Sequence, residues 1–196
     1  MEGIITMAYF AVIDTETNWI DQVMSIGCCI ADTDTLQAES VRYYVIAPEY
    51  EIGGMYESTL FSDSRLPPVI CSRREALKDM TAWLKKQGVA ALFAYNASFD
   101  RNHLPELSAF QWYDIMRLAA YRQFNPCIPK DADCFSTGRM KRGYGVEAVL
   151  RMLSKDRFYH ESHSALGDAL DELEIIRLLG HPLSSYIPLN APQGRK

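Results

Sequence analysis

Two carboxylates, Asp14 and Glu16, stand at the end of the unbroken apolar run Phe10-Ala11-Val12-Ile13. Such a run reads as a strand buried on both faces. Strand side chains two positions apart share a face, roughly 7 Å from one another. Two bare carboxylates placed this way repel each other and are costly to desolvate. A cation removes both penalties, and a set of hard oxygen ligands suits Mg²⁺ or Mn²⁺. The same residues also fit a plainer arrangement, in which Asp14 opens a loop and Glu16 is solvated.

Two later stretches add to the pair. The turn Asn96-Ala97-Ser98-Phe99-Asp100 follows the apolar run 89–95 and ends on a lone carboxylate. His163-Ser164-Ala165-Leu166-Gly167-Asp168 opens an amphipathic segment. An acidic pair, a lone Asp and then His-x4-Asp, in that order, resemble the DEDDh (DnaQ-like) 3′–5′ exonucleases of the ribonuclease H-like superfamily. That family includes polymerase proofreading subunits, RNase T and oligoribonuclease, and the resemblance covers roughly residues 8 to 179.

The resemblance implies an α/β ribonuclease H-like fold, a five-stranded mixed sheet flanked by helices. It implies a hydrolase that releases 5′-mononucleotides from 3′ ends of single-stranded DNA or RNA, with two Mg²⁺ or Mn²⁺ ions per site. Asp14, Glu16, Asp100 and Asp168 would be the metal ligands. His163 would be the general base, since an imidazole with a pKa near 6.5 is available to take a proton at pH 7. On one helix, residues five apart point roughly 140° away from each other. His163 is therefore expected in the loop before the helix, with Asp168 on its first turn.

Substrate contacts are expected from the end of the first strand and from the Asn-x2-Phe-Asp pattern. Thr15, Thr17 and Trp19 would approach the terminal nucleotide, and backbone amides of Glu16 and Thr17 would meet a 3′-hydroxyl. Asn96 and Phe99 would lie near the substrate. Trp19 and Phe99 equally suit packing roles. Lys130, Arg139, Lys141 and Arg142, interleaved with Phe135 and Tyr144, make 123–145 a candidate for phosphate contacts or a solvated basic surface. His103, His160 and His181 fall outside the pattern, Asp171 reads as a solvated helix carboxylate, and Asp114 reads as a helix cap.

The elements that must position these residues follow from periodicity. Segments 23–31 and 41–47 read as strands joined by a short polar turn, hence antiparallel neighbours. Residues 48–72 lack a period and read as a long loop. Ala76, Leu77, Met80, Trp83 and Leu84 fall at helical spacing, ending at Gly88, and 89–95 is the next buried strand. Then come a helix over 99–107, a short strand at 112–114, an irregular 123–145, and helices over 146–153 and 164–179. Leu166, Ala169, Leu170, Leu173 and Ile176 trace the buried stripe of the last helix, with Arg177 at its edge. A single domain is expected over 1–180, with 181–196 as a tail across the surface or disordered.

Composition bounds the reading. The chain has 196 residues, 48% of them hydrophobic, which suits one domain with a sizeable core. No apolar run approaches the roughly 18 residues of a membrane span, and the N-terminus lacks the pattern of a signal peptide. Five cysteines without CxxC spacing argue for reduced thiols in a cytoplasmic protein. Cys28 and Cys29 read as core residues. A net charge of −5 is unsuited to gripping long duplex by counterion release. It favours recognition of single-stranded ends, or delivery by a partner such as a polymerase or a second copy of the chain. The alternative is a proofreading or nucleic-acid-binding module that depends on such a partner for affinity and activity.

Overall fold

The computed structural model describes residues 8–62 and 66–189. Strands β1 (Tyr9–Thr17), β2 (Val23–Asp32) and β3 (Ala38–Ile46) form an antiparallel meander. After it come β4 (Val69–Cys71), helix α1 (Arg73–Lys86) and β5 (Ala91–Ala94). Helix α2 (Ser98–His103), β6 (Gln111–Asp114) and α3 (Met116–Ala119) lead to the irregular stretch before α4 (Val146–Ser154) and α5 (Ala165–Leu179). The sheet order is β4-β3-β2-β1-β5-β6, with β4 parallel to β3 and β5 parallel to both β1 and β6.

The resemblance implies five strands, whereas the sheet has six. The extra one, β4, is a three-residue edge strand with exposed Val69 and Ile70, too short to show an alternation. It lies within the expected 48–72 loop, which also forms 3₁₀ turns at Glu49–Ile52 and Glu57–Thr59.

β1 feeds two cores through its pleat. Ala11 and Ile13 pack with Ala76, Met80 and Leu84 of α1 on one face, while Phe10 and Val12 pack with Val149 of α4 and Leu173 and Ile176 of α5 on the other. Continuing that alternation, Asp14 and Glu16 emerge on the α5 side. Helix α1 starts at a capping box, in which Ser72 and Glu75 satisfy each other's backbone amides. Helix α5 ends at Gly180 in the left-handed conformation. Beyond it, Tyr186 and Leu189 are buried in the two cores and anchor an otherwise largely exposed 181–189, and 190–196 lie outside the described residues. Cys28 and Cys29 are fully buried, as expected, and the cysteines are unpaired. Among the described residues no helix is long and apolar enough to cross a membrane.

Candidate active site

Three elements bring the acidic residues together. β1 delivers Asp14 and Glu16 just before a register shift in its pairing with β2. The first turn of α5 delivers Asp168. Helix α5 can press this closely because Gly27, opposite Asp14 in the β1–β2 register, has no side chain. A Cβ there would lie 2.1 Å from the Ala165 carbonyl carbon and 2.2 Å from the Leu166 nitrogen. As a result one carboxylate oxygen from each of Asp14, Glu16 and Asp168 lies within 4.8 Å of the others.

Asp100, 1% exposed on α2, is held by the Thr15 hydroxyl, which donates to its Oδ1 at 2.8 Å. It lies outside the compact triad, and its charge acts on Asp14. Thr15, expected to meet substrate, therefore spends its side chain on a carboxylate. His163 sits in the loop before α5, five residues ahead of Asp168, and its backbone is left-handed with φ 52°. Its ring stacks on Tyr56 at 4.2 Å, and the Thr59 hydroxyl donates to its carbonyl. A ring nitrogen of His163, an oxygen of Asp168 and an oxygen of Glu161 form a second group within 4.8 Å of one another.

Every carboxyl in this group has its pKa raised. Burial is the largest cause for each. Asp14 is pushed well up by burial and then by the charges of Asp100, Glu172, Asp168 and Glu16. Glu16 is raised to about 8, with Glu161 as the next cause. Asp168 is raised to about 9, with Glu161 and Glu16 adding to burial. Asp100 reaches about 7 through burial, offset by its bond from Thr15. Glu172, one turn beyond Asp168 and 2% exposed, is also well above its ordinary value through burial and the charge of Asp100.

Buried oxygens of Asp14, Asp168 and Glu172 have no hydrogen-bond partner. A cluster of mutually repelling, partly orphaned carboxylates is what a divalent cation would satisfy. The residues present therefore fit such an ion.

Beside the triad opens a cleft of about 400 Å³ lined by Thr15, Glu16, Thr17, Trp19, Tyr56 and Phe99, among others. Trp19 is 65% exposed and Phe99 39%, so both rings face the cleft and solvent rather than the core. Phe99 leans on His103. Asn96 does not line this cleft; its backbone N–H donates to Asp114 Oδ1 at 3.1 Å, and the backbone N–H of Met116 donates to the same oxygen, so Asp114, expected to cap a helix, ties the two loops together while Ile115 stands at the N-cap of α3. Asp171 accepts the Tyr159 hydroxyl at the edge of the site. In 123–145, Lys141 is paired with Asp133 at 2.9 Å, and Arg139 lies over the rings of Phe135 and Tyr144.

Sequence reasoning missed Gly27, Tyr56, Thr59, Glu161 and Glu172. Glu172 did carry a local signal, four residues after Asp168 on the same helix face; the others acquire their roles only when a distant element packs against them. The S-x-x-E box at 72–75, by contrast, was available as a helix start.

No family model matches the chain, and no curated protein sequence matches it. Solved structures do. The nuclease domain of 3′hExo, a DEDDh family member bound to rAMP, aligns at TM-score 0.64 and 14% identity, over 94% of this chain and 98% of that one. A 3′-exonuclease in 3′-end specific recognition of a histone mRNA stem-loop aligns at TM-score 0.62 and 15% identity, over 94% and 92%. The E. coli ExoI–ssDNA complex in its zinc-bound form aligns at TM-score 0.57 and 10% identity, over 89% of this chain and 40% of that one. The chain, with its six-stranded mixed sheet flanked by helices, thus has the ribonuclease H-like exonuclease fold.

Proposed function

We propose that this chain is a divalent-metal-dependent nuclease that removes 5′-mononucleotides from the 3′ ends of single-stranded DNA or RNA. The observation that carries the reading is the convergence of Asp14, Glu16 and Asp168 within 4.8 Å, with orphaned buried oxygens on two of them. Membership of the DEDDh group is part of the same proposal, supported by the shared fold and by the order of the five motif residues.

Asp14, Glu16 and Asp168 would hold one Mg²⁺ or Mn²⁺, and Asp14 with Asp100 a second. Bound there, the ions would lower the pKa of the attacking water and stabilise the charge gathering on the phosphate and the departing oxygen. The chain's own residues do the rest. A ring nitrogen of His163 takes the water's proton, and the stack on Tyr56 limits where that ring can be. Thr15 holds the Asp100 carboxylate in place. The cleft rimmed by Trp19 and Phe99 offers exposed aromatic faces on which a terminal base can stack, with Thr17 at the strand end beside it.

The test uses single-stranded DNA and RNA oligonucleotides labelled at the 5′ end, with Mg²⁺, Mn²⁺ or EDTA. We expect a ladder shortening from the 3′ end, absent in EDTA and reduced at least about 1,000-fold in a folded Asp14→Ala variant. Undiminished activity in that variant, or no ladder on either strand from folded wild type, would reject the reading.

A further inference from the structure

Three depressions run end to end over the surface. The cleft beside the triad shares Asp21 with a second hollow of about 320 Å³, which also holds Arg73, Asn102 and His103. That hollow shares Arg73 with a groove of about 720 Å³ alongside α1, lined by Arg74, Leu77, Lys78, Ala82 and Lys85. Topology sets the direction. β4 runs parallel to β3, which runs parallel to β1, so α1 begins at the end of the sheet where the carboxylates lie and leads away from it.

Helix α1 segregates its charges. Glu75 is engaged in the capping box, and Asp79 faces Tyr44 and Arg42, at 2.6 and 3.7 Å. The groove side carries Arg74, Lys78 and Lys85, at helical spacings that form one stripe about 16 Å long. Arg73 is tied to Glu106 at 2.8 Å, but the other three make no ion pair among the described residues. In a chain of net charge −5, three unneutralised cations in line with the site select a polyanion. The middle hollow sets Asp21 and Glu49 against an Arg73 already tied to Glu106, so the cations open to phosphates are those on α1.

We propose that a single strand whose 3′ end occupies the carboxylate site continues across the Asp21–Arg73 hollow and along α1, with Arg74, Lys78 and Lys85 meeting its upstream phosphates. The proposal rests on the nuclease reading above, and it replaces 123–145, where Lys141 is already paired, as the principal phosphate contact. Its consequence is a dependence on substrate length that resides in α1 alone.

The experiment compares wild type with Arg74→Glu/Lys78→Glu, both exposed positions, and with Lys141→Glu/Arg142→Glu. Affinity for a fluorescent single-stranded 12-mer is measured by anisotropy with Ca²⁺ over a salt series, and hydrolysis of a dinucleotide with Mg²⁺. The α1 variant should bind the 12-mer about 10-fold more weakly, with a salt slope shallower by at least about 1, since each phosphate contact contributes about 0.7. Its dinucleotide kcat/KM should stay within about two-fold of wild type. Unchanged affinity and slope, an equal loss on the dinucleotide, or a loss confined to the 141/142 variant would overturn the proposal. An unaffected 12-mer would leave the stripe to an acidic protein partner. If wild type binds the 12-mer but cleaves nothing, the nuclease reading falls, and the α1 variant's binding still decides the track.

Discussion

Glu172 shows most clearly how this site is balanced. It lies one turn after Asp168 on α5, on the same face of the helix, and only 2% of it is exposed, although a glutamate is rarely buried without a partner. Burial and the charges of Asp100 and Asp168 hold its carboxyl well above the usual range, and one of its oxygens is unpartnered. Its surroundings therefore favour the protonated acid in the metal-free protein. Glutamine has that shape without the proton requirement. In EDTA at pH 8, Glu172→Gln should melt no lower than wild type, and higher by about 1 kcal/mol if the native acid is partly ionised there. Glu172→Ala should lose about 2–3 kcal/mol through the cavity it leaves. Thermal melts of the three proteins decide it, and a glutamine variant as unstable as the alanine one would mean the carboxylate is charged and paired. Thr15 teaches a related lesson: its position at the end of β1 was legible, but its partner, Asp100, is 85 positions away in the chain.

At the scale of elements, the 3₁₀ turn at Glu57–Thr59 stands out because it grips His163 twice. Tyr56 stacks on the ring, and Thr59 holds the carbonyl of a residue whose left-handed backbone is costly for a side chain of that size. A histidine that must take a proton gains from being held ready, so the turn should act through His163 and not through substrate affinity. Thr59→Val and Tyr56→Leu should each lower kcat by about 10-fold with KM little changed, while Tyr56→Phe, which keeps the stack, should be near wild type. In a His163→Ala background the Thr59 and Tyr56 changes should have no further effect, because interacting residues are non-additive. Additive losses in that cycle would place the turn's role elsewhere. Loss of a ring-current shift on the His163 signals in Tyr56→Leu, seen by NMR, tests the stack without reference to activity. Nothing in 48–62 announced this turn: a tract without a hydrophobic period reveals neither short 3₁₀ turns nor a three-residue edge strand. The buried strands and α1, α4 and α5 were legible because each carries enough periodic apolar residues to state its face.

For the molecule as a whole, the order of the acidic motifs along the chain was enough to suggest a common site, but not its geometry. What places Asp168 beside Asp14 is the bare backbone of Gly27, and no local pattern marks that glycine as different from another. Net charge misled in a similar way, since −5 counts carboxylates gathered at one point while a basic stripe lies along α1. That gathering should govern stability. Asp100, Glu16 and Asp168 have folded pKa values raised to about 7, 8 and 9, above those of an unfolded chain. Groups shifted upward contribute stability fully below the unfolded pKa, near 4, and lose it as pH rises through the folded values. The metal-free protein should therefore weaken progressively from about pH 4 up to pH 9, the reverse of ordinary acid denaturation. The buried pair Asp100 and Asp168 should account for at least about 2 kcal/mol, or roughly 4–8 °C in melting temperature. A divalent cation supplies the opposite charge, so Mg²⁺ or Mn²⁺ should restore most of that loss at pH 8.5 and change little at pH 5.5. Melting curves at both pH values, in EDTA and with each metal, read this directly. A metal-free protein whose stability is flat or rising across that window, or a metal effect equal at both ends, would show that the carboxylates are already neutralised by the fold.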